Sequence, residues 1–184
     1  TDFDFVRKLI EDDLVPDDVT IQVLTPAREH LVRRTFEAVV GAKRCIMHLY
    51  NATAPVMRKV VLGVDVEGVI ELAASHARLI KELAAGQPGT DWRFEYSPEM
   101  FSDTELDVSV RVIDAVTEVW QPTRERTCII NLPTTVEHST PNVYADMIEW
   151  TCRNIRRREA IVISAHPHND RGTGTATAEL ALMA

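Results

Sequence analysis

Cysteine is scarce in this sequence, and the three present, Cys45, Cys128 and Cys152, are widely spaced inside apolar runs. No Cys-x-x-Cys pair occurs, which argues against a disulfide framework and against thiolate zinc or redox chemistry. The thiols read as buried groups of a reducing compartment. Long hydrophobic runs are also missing. None reaches the roughly 18 residues that a membrane-spanning helix requires, and the first residues do not resemble a cleavable leader. A soluble cytoplasmic protein with no membrane association is expected. Basic excess is lacking as well: the net charge is −8, so no nucleic-acid partner is expected, because such binding needs basic stripes to neutralise phosphate. An anionic small substrate stays open, since a local Arg or metal overrides net charge. Finally, no Gly-x-Gly-x-x-Gly follows the first strand, which removes the main support for a dinucleotide fold.

What remains is ordinary globular composition, with 184 residues, 45% hydrophobic and 26% charged, suited to one domain or part of a larger one. No repeat, low-complexity tract or linker interrupts it. Apolar β-branched runs alternate with stretches of helical period, the pattern of a parallel α/β sheet. The expected order is a helix over 3–12, a strand over 19–24 and a helix to about 41 opened by Thr25-Pro26 as a cap plus first-turn proline. A strand over 45–49 and a long helix over 65–85 follow, the latter with Val69, Ile70, Ala73, Ala77 and Ile80 on its buried stripe. Next come a strand over 92–96 and a helix opened by Ser102 and Glu105 as a capping box, carrying Leu106, Val110, Ile113, Val116 and Trp120 at spacings of three and four. A strand over 127–132, a helix from Thr140-Pro141 to about 155, a strand over 160–165 and a terminal helix over 175–184 complete the order. The strands read as continuous apolar runs, as when both faces of a parallel sheet are buried. Two closures fit: a doubly wound open sheet, or a TIM (β/α)₈ barrel with about five βα units present. The chain opens on Thr1 and ends inside a helical-looking run, so a fragment is expected.

In either closure, polar residues just beyond the carboxyl ends of strands are the functional candidates. His166 and His168 stand at i and i+2, which projects both imidazoles to one face and suits a divalent metal; the competing reading is two loop or core histidines. Asp170 is a candidate to hold one of the imidazoles in its tautomer, and Arg171 reads as a surface salt-bridge residue. Ser97 and Glu99 share a face in the same way, placing a hydroxyl and a carboxylate in one pocket, against the reading of a proline turn with a solvated Glu. His48 ends its strand beside apolar residues, where a satisfied core histidine competes with a functional one. Thr134 and Thr135 offer hydroxyls to a carboxylate or keto oxygen, or else to their own backbone.

Segments 92–99, 131–137, 140–146 and 166–172 (Trp-Arg-Phe-Glu-Tyr-Ser-Pro-Glu, Asn-Leu-Pro-Thr-Thr-Val-Glu, Thr-Pro-Asn-Val-Tyr-Ala-Asp and His-Pro-His-Asn-Asp-Arg-Gly) together resemble the catalytic barrel of the 2-isopropylmalate synthase family, in particular its longer form. The resemblance runs over essentially all 184 residues, which it places within the pyruvate carboxyltransferase-like catalytic barrel domain. It implies an acyltransferase that joins acetyl-CoA to 3-methyl-2-oxobutanoate in the first committed step to leucine, with a divalent metal (Mg, Mn or Zn) and a homodimeric full-length form. By it, His166 and His168 are metal ligands, and His48, Ser97 and Thr135 line the oxoacid pocket. Glu99 lies near the thioester, and His48 and Glu99 are catalytic positions. The family's first-strand Arg-Asp pair and the Gly/Asn-rich strand that completes the metal site have no counterpart in these residues. The resemblance therefore implies that the first strand and the last two are not included, and that the 184 residues alone are inactive. Homocitrate or citramalate synthase, sharing His-x-His-Asn-Asp, and a non-catalytic fragment are the alternatives.

Overall fold

The computed structural model describes all 184 residues. Helix α1 (Asp2–Glu11) precedes five strands, each followed by a helix: β1 (Ile21–Pro26) and α2 (Glu29–Ala38), β2 (Arg44–Ala52) and α3 (Val66–Ala85), and β3 (Asp91–Glu99) and α4 (Leu106–Trp120). The series ends with β4 (Cys128–Pro133) and α5 (Pro141–Asn154), then β5 (Ile161–His166) and α6 (Gly174–Met183). All neighbours pair in parallel, and the sheet order is β1-β2-β3-β4-β5. That order distinguishes the two closures. A doubly wound sheet reverses its strand order at a switch point, whereas five strands laid down in sequence are the arc of a barrel wound in one direction.

Alternate residues carry the two faces of the arc. Cys45, Met47, Leu49, Phe94, Tyr96, Ile130 and Leu132 turn toward the helices and join Val69, Ala73, Ala77, Ile80, Val112, Ile113 and Val116 in one core. Phe94 stacks on Trp120 at 4.9 Å between centroids. The opposite face is open, leaving Leu24 and Val162 exposed. Pairing is uneven along the arc. β2 and β3 are in register from Arg44–Asp91 to Ala52–Glu99, but β3 and β4 register only at Glu95–Ile129 and Tyr96–Ile130.

Local chemistry departs from the sequence expectations in three places. Thr25 and Pro26 finish β1, paired to Leu49 and Tyr50, and do not start a helix. A proline without an N–H is tolerated there because the bond to β2 is made by the next residue, Ala27 N to the Tyr50 carbonyl at 2.9 Å, and α2 begins after an extended Arg28 with no side-chain cap. Ser102 and Glu105 form no capping box. The Ser102 hydroxyl donates to the Val136 carbonyl, and the Glu105 carboxylate receives both ends of the Arg58 guanidinium at 2.8 Å. A bidentate charged pair is stronger than a neutral cap bond, so it takes the carboxylate. Arg58 belongs to a six-residue π-helix, Met57–Leu62, closed by Gly63 at φ +65°; no periodicity announces it. Thr140-Pro141 does open α5 with Pro at the first position, though Thr140 makes no side-chain cap bond.

Candidate active site

The open face narrows to a concavity of about 770 Å³ lined by Gln22, His48, Glu95, Asn131, Ser164 and His166 among others. Because a strand's period is two, the inward register of β2, β3, β4 and β5 brings these polar residues into one row. His48 is almost buried. Its Nε2 lies 2.7 Å from Ser97 Oγ, and its Nδ1 lies 3.2 Å from Gln22 Nε2 and 3.3 Å from Glu95 Oε1. Burial pushes Glu95 up to about 7, and burial followed by the nearby His166 pushes His48 down to about 4. Both shifts disfavour the charged forms, so the close approach of the two side chains is not a surface-type ion bridge.

The row continues through Asn131. Its Nδ2 donates to Ser97 Oγ at 2.7 Å and to His166 Nδ1 at 3.2 Å, and its Oδ1 accepts from Ser164 Oγ at 2.9 Å. The His166 and His168 rings are neighbours, with centroids 4.9 Å apart and planes tilted by 34°. Their backbone is pinned from β4 and α5: His168 N donates to Thr134 Oγ1 at 2.8 Å, and His166 N to the Tyr144 hydroxyl at 3.3 Å. Burial, followed by the charge of His168, lowers the His166 pKa, against an upward pull from Glu99.

A second group sits at the ends of β3 and β4. Thr135 Oγ1 donates to Glu99 Oε2 at 3.0 Å and accepts from Met100 N at 3.0 Å. Met100 is in the left-handed region, φ +59°, uncommon for a side-chain-bearing residue. The bend is braced by Thr53, whose N and Oγ1 both bond the Glu99 carbonyl at 3.0 and 3.2 Å. Thr104 adds a third brace by donating to the Met100 carbonyl at 2.8 Å.

The six residues singled out from sequence thus fall into two hydrogen-bonded groups. His48, Ser97 and His166 are linked through Asn131, with His168 beside His166; Glu99 and Thr135 form the other group. Ser97 and Glu99 do lie on one strand face, but Ser97 is fully buried beneath the concavity, and it holds His48 and Asn131. Asp170 bonds no imidazole: its Oδ2 receives Glu137 N at 3.4 Å. Arg171 makes no surface salt bridge, its guanidinium reaching the carbonyls of Ser139 at 3.1 Å and Glu137 at 3.4 Å. The loop after β5 is organised instead by Glu137, whose carboxylate accepts from Thr173 Oγ1 at 2.6 Å and from Arg171 N at 2.5 Å. These bonds, that of Thr173 first, hold its carboxyl below the usual range. Gln22, Glu95, Asn131 and Ser164 were not singled out. The available signal was a polar residue in an otherwise apolar strand at the inward register.

No cluster of three His, Cys, Asp or Glu side chains able to hold a metal ion is present. His166 and His168 fit part of a coordination sphere. With Nδ1 of His166 engaged by Asn131, Nε2 is the nitrogen left to bind.

The sequence is 62% identical over 184 residues to 2-isopropylmalate synthase of Azoarcus sp. (strain BH72), covering 100% of this chain and 32% of that protein. It is 61% identical to 2-isopropylmalate synthase of Pseudomonas entomophila (strain L48), covering 100% and 33%, and 60% identical to that of Ralstonia pickettii (strain 12J), covering 100% and 32%. The chain therefore spans about a third of the length of these curated relatives. The HMGL-like family model matches residues 1–184, and with that match over its whole length the chain belongs to the HMGL-like family.

Proposed function

We propose that these residues form part of the catalytic barrel domain of a 2-isopropylmalate synthase, condensing acetyl-CoA with 3-methyl-2-oxobutanoate to give 2-isopropylmalate and CoA. The observation that carries this reading is the 62% identity to a protein of that name across every residue of the chain, on a face where His48, Ser97 and His166 are joined by hydrogen bonds. In the reaction a methyl proton leaves acetyl-CoA and the resulting carbanion attacks the keto carbon. The alkoxide formed is protonated, and water cleaves the thioester.

Each residue group has a role in that scheme. His166 and His168 would hold a divalent metal, which supplies Lewis-acid polarisation of the oxoacid carbonyl. His48 and Thr135 face the oxoacid. Ser97 fixes the His48 ring from below by its bond to Nε2, so that the ring need not reorganise as charge develops. Glu99, held by Thr135, is directed to the acetyl-CoA side.

Release of CoA thiol by the complete polypeptide that carries this segment tests the assignment. Turnover is expected with 3-methyl-2-oxobutanoate and the divalent metal. A preference for pyruvate or 2-oxoglutarate would reassign the chain to citramalate or homocitrate synthesis. The 184 residues alone, with two imidazoles and no third ligand, are expected to release no CoA in this assay.

A further inference from the structure

Asn131 makes three side-chain hydrogen bonds on the inward face, and no role has been attached to it above. It is 5% exposed and lies mid-strand in β4, where the neighbouring residues Ile130 and Leu132 are apolar. A buried amide there costs free energy unless its bonds are made. Asn131 makes three from one side chain, to β3 (Ser97), to β5 (Ser164) and to His166 at the end of β5. The groups at either end of this chain are the two halves of the proposed site: His48 bonded to Ser97 on one side, and the His166–His168 pair on the other.

We propose that Asn131 is a positioning residue that sets the ring plane and tautomer of His166 and couples that ring to the Ser97–His48 pair. The inference rests on the function proposed above for the meaning of the two halves, but its geometry stands without it. An amide suits this place because it offers both a donor and an acceptor. With Nδ2 donating to Nδ1, the neutral His166 ring carries its proton on Nε2. When a metal takes Nε2, the ring proton belongs on Nδ1. A half-turn of the amide then lets Oδ1 accept from Nδ1 and from the Ser97 hydroxyl, while Nδ2 donates to Ser164 Oγ. All three partners are kept, and the direction of each of the three hydrogen bonds is reversed. Neither an aspartate, which only accepts when ionised, nor a leucine, which does neither, can serve both states.

Two measurements that need no turnover test this in the complete polypeptide. The first is the two-bond proton–nitrogen spectrum of selectively ¹⁵N-histidine-labelled, metal-free protein. His166 is expected as the Nε2–H tautomer in the wild type and as the Nδ1–H tautomer in the near-isosteric Asn131→Asp variant; the same tautomer in both would overturn the proposal. The second is Mn²⁺ affinity, read from the free-ion paramagnetic resonance signal. Asn131→Leu is expected to weaken it by about 10–100-fold, as loss of a residue that orients a ligand does, and Ser164→Ala by less in the same direction. Unchanged Mn²⁺ affinity in a cooperatively melting Asn131→Leu protein would also overturn it. If that variant does not fold, the aspartate spectrum and Ser164→Ala decide. Wild-type protein that binds Mn²⁺ and shows these shifts without releasing CoA would refute the proposed reaction and leave the role of Asn131 standing.

Discussion

The two faces of the sheet are built from alternate residues of the same five strands, yet they are filled by opposite rules. Toward the helices, Met47, Phe94, Tyr96, Ile130 and Leu132 interdigitate with α3 and α4 as a continuous apolar layer. Toward the concavity, the intervening positions hold Glu95, His48, Ser97, Asn131 and Ser164 in a chain of side-chain bonds. The first face is non-directional and volume-limited, so it fixes where the strands lie. The second is directional, so it fixes where protons and lone pairs point. One set of backbone hydrogen bonds serves both, which is why the chemistry inherits the rigidity of the fold.

Perturbations of the two faces should therefore separate. The largest effect is expected on the helix side: Phe94→Ala removes a fully buried ring stacked on Trp120 and should cost about 3–5 kcal/mol, measured by denaturant melts. A loss below that of an inward-face variant would break the comparison. A smaller, pH-dependent effect is expected at the Glu95–His48 pair. Glu95, raised from 4.5 to about 7, keeps a proton that the unfolded chain has lost, so its contribution falls as pH rises through that window. His48, lowered from 6.5 to about 4, lacks a proton that the unfolded chain holds, so its contribution rises with pH between those values. The two slopes oppose one another in the wild type. Glu95→Gln leaves only the second, and its stability relative to wild type should climb from about pH 4.5 to about 7; a flat difference would show that the carboxyl is not perturbed.

At the rim the effect shrinks further. Thr135→Val keeps the shape but strips the donor to Glu99 and the acceptor for Met100 N, a loss of about 1 kcal/mol in stability. In the complete polypeptide it should raise the KM for the oxoacid, which Thr135 faces, and that for acetyl-CoA, through the loosened Glu99; a rise for the oxoacid alone would place Glu99 elsewhere. The smallest change belongs to the solvent side of α5, where Arg153→Ala breaks an exposed pair with Glu149 and should cost no more than about 0.5 kcal/mol.

The helix-facing layer was the legible part of the sequence, because burial writes itself as apolar periodicity. Val69, Ala73, Ala77 and Ile80 lie on the stripe expected for α3, all fully buried. Element ends read less well where a distant partner outbid a local one: Glu105 is a plausible cap until Arg58, 47 residues away, claims it. Among the candidate residues, Glu99 and His166 close their strands and Thr135 and His168 lie just beyond theirs, as expected, whereas His48 does not end its strand: β2 runs on to Ala52, and Ser97 likewise lies inside β3. Asn131 and Glu95 sit one or two positions deeper, inside strands that read as buried. What they do depends on which residues stand opposite in neighbouring strands, and that register is set by the whole sheet.

The short β3–β4 ladder gives the arc a seam. With only Glu95–Ile129 and Tyr96–Ile130 in register there, against the long β2–β3 ladder, β1–β2–β3 and β4–β5 are the two natural units of local opening. The Asn131–Ser97 and Thr135–Glu99 bonds cross that seam, acting as rivets between two plates. Amide exchange should then proceed in two blocks, and loosening either rivet should speed the exchange of β4 more than that of β2. The residues that prepare the chemistry would thereby also set how often the sheet breathes.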